Sequence, residues 1–285
     1  MKKLGFGCMR FPMLDGKIDV EELKKMVDKF MERGFTYYDT SYVYHGGDSE
    51  KVLKEVLVDR YPRDKFTITT KLPSFMVHTK EDMERIFNEQ LERLGTDYVD
   101  YYWLHAMNES LYNTMGNIGF EFLRELKENS RIKHIGFSFH DTPELLDKML
   151  IEHPEVEFVQ LQLNYIDWTS SFVESKRCYE VCEKHNVKVI VMEPVKGGGL
   201  VKLPSEADKL FKDYNNSLTN ASWAIRWCAS LSNVYMVLSG MSNLDQVLDN
   251  TEYMETFVSM NEKELSLVDQ VADIIIARFI MMNQN

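Results

Sequence analysis

LGFGCMRFPMLDGKID, residues Leu4–Asp19, decides between two folds. The chain alternates short apolar runs with amphipathic stretches, and that alternation demands parallel strands joined by helical crossovers. Both a doubly wound open sheet and a closed eight-stranded barrel meet the demand. A doubly wound nucleotide-binding sheet opens with a Gly-rich turn directly between its first strand and first helix. Here Gly5-Phe6-Gly7 falls inside the strand read over Leu4–Met9, and the loop Arg10–Asp19 separates that strand from the helix. The glycine pair therefore lacks the context of a dinucleotide fingerprint. With eight strand–helix units in this length, the reading favours a (β/α)8 barrel.

Outward from there, Asp19 reads as the N-cap of a helix over Val20–Arg33, closed by Gly34. Phe35–Asp39 is a second strand and Ser49–Val58 its helix. Phe66–Thr70 is the third strand, followed by a helix over Glu81–Arg93, and Tyr98–Leu104 is the fourth, followed by Phe120–Glu128. His134–Ser138 with Pro143–Glu152, Glu157–Gln162 with Val173–His185, Val187–Val191 with Ala221–Leu231, and Val234–Leu238 with Leu244–Phe257 complete eight strand–helix pairs. A last helix, Glu262–Met281, has no strand after it. The strands are short and mostly apolar on both faces, as strands packed between an inner core and a helical layer should be. No Pro-, Gly- or Ser-rich linker interrupts them, so residues 1–285 read as one domain.

Composition narrows the function. The chain has 285 residues, a length α/β barrels use as one unit, and its 44% hydrophobic and 12% aromatic content is that of a folded core. Against 33 basic side chains stand 45 acidic ones, a net charge of −12. Such a surface repels phosphate backbones and anionic lipid, which argues against nucleic acid and membranes as partners. Cys8, Cys178, Cys182 and Cys228 share no metal-ligand spacing and read as reduced structural thiols of a cytoplasmic protein. The start lacks an apolar run long enough for a signal peptide, and Arg278 interrupts the apolar stretch near the end.

Barrel active sites lie at the C-terminal ends of the strands. Strand two ends in Asp39-Thr40-Ser41 and its loop continues through Tyr44; strand three ends at Lys71 and strand four at His105. A hydride arriving at a carbonyl carbon leaves negative charge on oxygen, which must be protonated. Tyr44 can donate that proton if an adjacent cation lowers its pKa from about 10. Lys71 supplies the cation, Asp39 holds Lys71 charged and in place, and His105 orients the carbonyl. Each residue alone has a plainer reading: Asp39 as a cap, Tyr44 as packing, Lys71 as solvated, His105 as a core histidine. Four complementary groups at one mouth, from three successive strands, favour chemistry.

The segment Asp39-Thr40-Ser41-x-x-Tyr44-x-Gly46, followed by Lys71 and His105, resembles the catalytic tetrad of the aldo-keto reductase superfamily. Gly5–Arg10 resembles the family's first strand, and Arg131–Ser138 its fifth with the preceding turn. The resemblance implies a nicotinamide cofactor touching Gly7, Cys8 and Met9, with Ser138 and Gln160 at the carboxamide. It places Met192 where many members stack an aromatic ring, and Glu193, Pro194, Val195, Lys196 and Gly197 in a loop straddling the cofactor. It gives Gly240, Met241, Ser242, Gln246 and Asn250 to the adenosine-phosphate segment. Gly240 and Gln246 stand where many members carry Lys and Arg for the 2′-phosphate, so NADP is favoured only slightly and NAD stays open. Phe139 replaces the usual Asn after Ser138, with His140 as the neighbouring substitute. The details are similar to a microbial branch whose members often carry a C-terminal iron–sulfur domain; no CxxCxxC run occurs here, so no cluster is expected.

The resemblance implies an oxidoreductase acting on a small-molecule aldehyde, ketone or alcohol. A redox-sensing or scaffold subunit with slow turnover is the alternative from the binding class. A metal-dependent hydrolase would need converging ligands such as an HxH pair, absent from the seven histidines. Met9, Phe11, His45, Met107 and the segment after Val258 are expected to line the substrate end.

Overall fold

The computed structural model describes residues 2–282. Eight parallel strands close into a barrel: β1 Leu4–Gly7, β2 Tyr37–Asp39, β3 Thr67–Leu72, β4 Val99–Met107, β5 Ile132–Phe139, β6 Phe158–Gln162, β7 Lys188–Met192 and β8 Val234–Ser239. Each pairs with its sequence neighbours, and β1 closes the ring against both β8 and β2. Among the described residues no helix is long and apolar enough to cross a membrane.

Strand side chains alternate faces with period two, so one phase of every strand points into the barrel. That phase carries Tyr37, Tyr101, Trp103, Phe158, Ile190, Met236 and Leu238, which form a core of their own, apart from the larger core between strands and helices. Two residues further along the same phase stand Asp39, His105, Gln160, Met192 and Gly240, all lining the mouth. The site is thus the top layer of a stack whose floor is aromatic. Thr69, two before Lys71, donates to the Tyr37 hydroxyl at 2.6 Å and ties the two layers. Truncating a fully buried residue such as Trp103 costs about 3–5 kcal/mol in such a floor.

The outer helices follow their caps. Asp19 accepts from Glu22 N at 3.0 Å to start Val20–Glu32. Thr79 caps Lys80–Leu94, which ends on Gly95 in the left-handed region (φ +66°). Thr142 caps Pro143–Glu152, with proline in the first turn, where its missing N–H costs nothing.

Several elements differ from expectation. The first strand ends at Gly7 rather than Met9, because Cys8–Arg10 turns into a short 3₁₀ helix. The Arg10–Asp19 loop holds a hairpin, Met13–Leu14 against Lys17–Ile18, whose turn residues Asp15 and Gly16 both have positive φ. The Asp15-Gly16 pair takes the positive φ that a tight hairpin turn requires. The helix from Ser49 is α only to Leu53 and continues as a π turn over Lys54–Val58. β4 runs on to Met107 through a register shift, with Ala106 at φ +59°. A helix over Ser205–Tyr214 was not anticipated.

Candidate active site

The ends of β2, β3 and β4 bring four side chains together. Lys71 is 1% exposed, and its Nζ donates to Asp39 Oδ1 at 2.6 Å, to the Thr40 carbonyl at 2.8 Å and to the Tyr44 hydroxyl at 3.3 Å. All three acceptors come from β2 or the turn after it, so one ammonium fixes the tyrosine relative to the strand. The same Nζ lies 4.9 Å from the Tyr44 ring centroid. His105 stands edge-on to Tyr44, ring centroids 6.1 Å apart, and its Nδ1 is 3.2 Å from Ser41 Oγ. The β4 irregularity turns the chain just past His105, and the freed Ala106 N–H donates to Ser138 Oγ at 2.8 Å. Phe75 packs against His105 from the neighbouring loop.

Burial and charge oppose each other here. Burial works against charge on Lys71, but Asp39 and Tyr44 outweigh it and hold the ammonium above the ordinary lysine value. Burial also raises Asp39, against the pull of Lys71 and of the nearby Gln160 amide. His105 is pushed down to about 3 by burial, with Lys71 and His140 adding to the effect, so its imidazole is neutral. The Tyr44 phenol differs from expectation. Lys71 does lower it, but burial is the larger effect and leaves it above its ordinary value. The cation pulls in the expected direction, and the desolvation of the phenol outweighs it. The hydroxyl therefore stays protonated at neutral pH, as a proton donor must.

Beside these groups opens a cavity of about 1110 Å³. Gly7, Cys8, Met9, Ser138, Gln160, Met192, Glu193, Pro194, Val195, Gly197, Gly240, Ser242, Gln246 and Asn250 line it, as do His45 and His140. Gln160 is 3% exposed, and its Oε1 is buried without a hydrogen-bond partner. The loop after β7 is built from left-handed residues: Glu193, Lys196, Gly197 and Gly198 have φ between +50° and +96°. Nothing lies within 4 Å of where a Cβ on Gly198 would stand, so that backbone is open to a ligand. At the far end Ser242 N donates to Gln246 Oε1 at 2.7 Å, and Asn250 is bonded to Gln246 O and Tyr253.

Two of the expected cofactor residues fall outside this lining. Lys196 turns its ammonium to Asp167, a buried carboxylate already holding Gln162 and Asn164 at 2.9 and 2.8 Å. Met241 is 1% exposed and packs in the core between strands and helices. At the substrate end Met9 is exposed, whereas Phe11, stacked on His45, and Met107 are buried; Val258 is exposed.

Sequence reasoning missed several residues. Arg10 lines the cavity, lies over Gly240, where a Cβ would meet its Cδ at 3.0 Å, and stands 3.9 Å from Glu193. Behind the lysine, Glu50, Thr70 and Gln90 form a buried hydrogen-bonded group. Glu50 sits in a short helix between buried Ser49 and exposed Lys51, and no pattern marks it apart.

Residues 3–273 match the family model described as Aldo/keto reductase family. An aldo-keto reductase of Mycobacterium avium is 27% identical over 240 residues, spanning 84% of this chain and 78% of the relative. A probable aldo-keto reductase 1 of Glycine max is 24% identical over 209 residues, spanning 70% of this chain and 57% of the relative. An aldo/keto reductase of Klebsiella pneumoniae, solved in complex with NADP and acetate, superposes with a TM-score of 0.76 at 19% identity, over 95% of this chain and 91% of that one. With its closed barrel and the family match across nearly its whole length, this chain belongs to the aldo/keto reductase family.

Proposed function

We propose that this chain, working as one barrel unit in the cytoplasm, moves a hydride between a nicotinamide dinucleotide and a small-molecule aldehyde or ketone, with Tyr44 as general acid. The observation that carries the reading is the Lys71 ammonium, buried and bonded at once to Asp39 and Tyr44, beside a cavity of about 1110 Å³. The cavity's residues fit the cofactor: the orphaned Gln160 Oε1 offers an acceptor for a carboxamide, and the glycines after β7 leave backbone open to phosphate. Ser138, Gln160 and Met192 would hold the nicotinamide, and Gly197, Gly240, Ser242 and Gln246 the rest. When bound, the group supplies the hydride. NADP is the favoured form, as in the Klebsiella neighbour, although Gly240 and Gln246 offer a 2′-phosphate no charge.

The protein's own part is the proton. Tyr44 gives its hydroxyl proton to the carbonyl oxygen as that oxygen gains the electron pair of the C=O bond. Lys71 then stabilises the phenolate, and Asp39 keeps Lys71 charged and aimed. His105, neutral and anchored through Nδ1 to Ser41, offers its other nitrogen to the substrate oxygen. In the alcohol-oxidising direction the phenolate takes the proton back. Four free, buried cysteines suit a reducing compartment.

The test is a titration with NADPH and with NADH, followed by intrinsic fluorescence and melting temperature, then a panel of aldehydes, ketones and sugars. Saturable binding and turnover of at least one carbonyl are expected. No response to either dinucleotide at millimolar concentration contradicts the reading.

A further inference from the structure

We propose that Glu50 is a positioning residue for carbonyl reduction: from outside the barrel wall its carboxylate ties the strand that carries Lys71 to the loop that carries Tyr44. The inference rests on the reaction proposed above. Glu50 lies in the helix Ser49–Leu53 and is fully buried. Its Oε1 accepts from Thr70 Oγ1 at 2.6 Å and from Gln90 Nε2 at 2.7 Å. Thr70 immediately precedes Lys71, and Gln90 Nε2 also reaches the Lys71 carbonyl at 3.1 Å. The Tyr102 hydroxyl fixes the other end of Gln90 at 2.6 Å. One carboxylate oxygen therefore sets the backbone from which the lysine projects.

The second oxygen works on the tyrosine side. Glu50 Oε2 has no hydrogen bond, but Arg93 Nη1 stands 3.6 Å away. That same nitrogen donates to the Tyr42 carbonyl at 3.2 Å, and the guanidinium lies 4.0 Å from the Tyr42 ring centroid. Tyr42 is two residues before Tyr44, in the turn where Tyr44 N bonds to Ser41 O at 3.2 Å. Arg93 thus bridges Glu50 to the loop holding the acid.

A barrel wall does not require a charge here; a buried carboxylate is costly, and an apolar side chain fills such a gap more readily. Burial pushes Glu50 up to about 7, against the pull of Thr70, Gln90 and Arg93. The charged and titratable groups facing it are Arg93 and Glu89 from the helix Lys80–Leu94 and the Tyr102 phenol from β4. Above pH 7 the ionised carboxylate attracts Arg93 and draws the Tyr42 loop toward β3. Below it the neutral acid keeps its bonds to Thr70 and Gln90 and loses its hold on Arg93.

The sign for stability runs the other way. Because the folded value lies above the ordinary 4.5, the stability Glu50 contributes is full below that value and is lost as pH rises through about 7. Glu50→Gln removes that loss, so it opposes the two roles. A positioning role predicts a protein that melts no lower than wild type at pH 8 yet has a kcat lower by about tenfold, within the ~10²-fold that a misplacement of ~1 Å costs. A structural role predicts a lower melting temperature and an unchanged kcat.

The experiment measures kcat against pH for wild type, Glu50→Gln and Arg93→Gln, with cofactor affinity and melting temperature for each. Wild-type kcat is expected to fall as pH drops through about 7, and both variants to lack that inflection while binding cofactor as wild type does. An inflection kept in Glu50→Gln overturns the inference. Should Glu50→Gln fail to fold, Arg93→Gln decides, and an unchanged profile there overturns it as well. If wild type reduces no carbonyl, the proposed function and this inference fall together; if wild type turns over and the variants match it, only this inference falls.

Discussion

The two halves of the barrel mouth are built on opposite plans. On the β2–β4 side, Asp39, Lys71, Thr40 and Tyr44 are bonded to one another, and a further buried layer of Glu50, Thr70 and Gln90 backs them. On the β6–β8 side, Gln160 Oε1 has no partner, the loop after β7 runs through left-handed residues, and Arg10 and Glu193 face each other at 3.9 Å across half-exposed surface. The contrast separates two tasks. A group that must transfer a proton has to be held within tenths of an ångström beforehand, so its bonds are internal. Groups that bind a large ligand leave polar atoms and backbone for that ligand to satisfy. Substitutions on the first side should act on rate, and those on the second on affinity.

Lys71→Met gives the largest expected effect. Carbonyl reduction falls by about 10²–10⁴-fold, since the phenolate formed in the reaction loses its cation. Stability falls too, by about 3–5 kcal/mol, because the Asp39 carboxylate is left buried and unpaired. Adding Asp39→Asn to Lys71→Met restores much of the stability and none of the rate. A double variant as unstable as the single one would show that the pair is not the electrostatic unit described. Steady-state kinetics beside denaturant unfolding separates the two effects.

The smallest effect belongs to Lys196→Ala. The ammonium is committed to Asp167, which keeps donors from Gln162 and Asn164 after the change. Dinucleotide affinity should therefore shift by less than about threefold, well short of the tenfold that ~1.4 kcal/mol represents. A fluorescence titration showing tenfold weaker binding would mean that Lys196 leaves Asp167 for the cofactor, and that the ion pair divides its time between two partners.

How far the sequence alone reached depended on whether a residue acts within its own strand or across strands. The barrel was legible because strand and helix periods, the Asp19 cap, and the failed fingerprint at Gly5–Gly7 are local signals. Asp39, Tyr44, Lys71 and His105 were legible because strand ends are few and the barrel aims them inward. The Asp15–Gly16 hairpin was legible too and was absorbed into a loop. The pairing of Lys196 was not legible, because its partner Asp167 lies on another loop and no spacing announces that pair. The burial of Met241 was not legible, because motif position says nothing of which way a side chain faces. Glu50 and Arg93 were invisible for the same reason as any cross-element pair: an acidic residue in a surface helix looks solvated until another helix closes over it.

The most direct measurement is Tyr44→Phe, with kcat and the cofactor dissociation constant determined on the same preparation. The substitution removes one hydroxyl from the internally bonded side and touches nothing on the other. The account predicts that carbonyl reduction falls by about 10²–10⁴-fold while NADPH and NADH bind as they do to wild type. Near wild-type turnover, or a loss of turnover that merely follows a loss of cofactor binding, would contradict it.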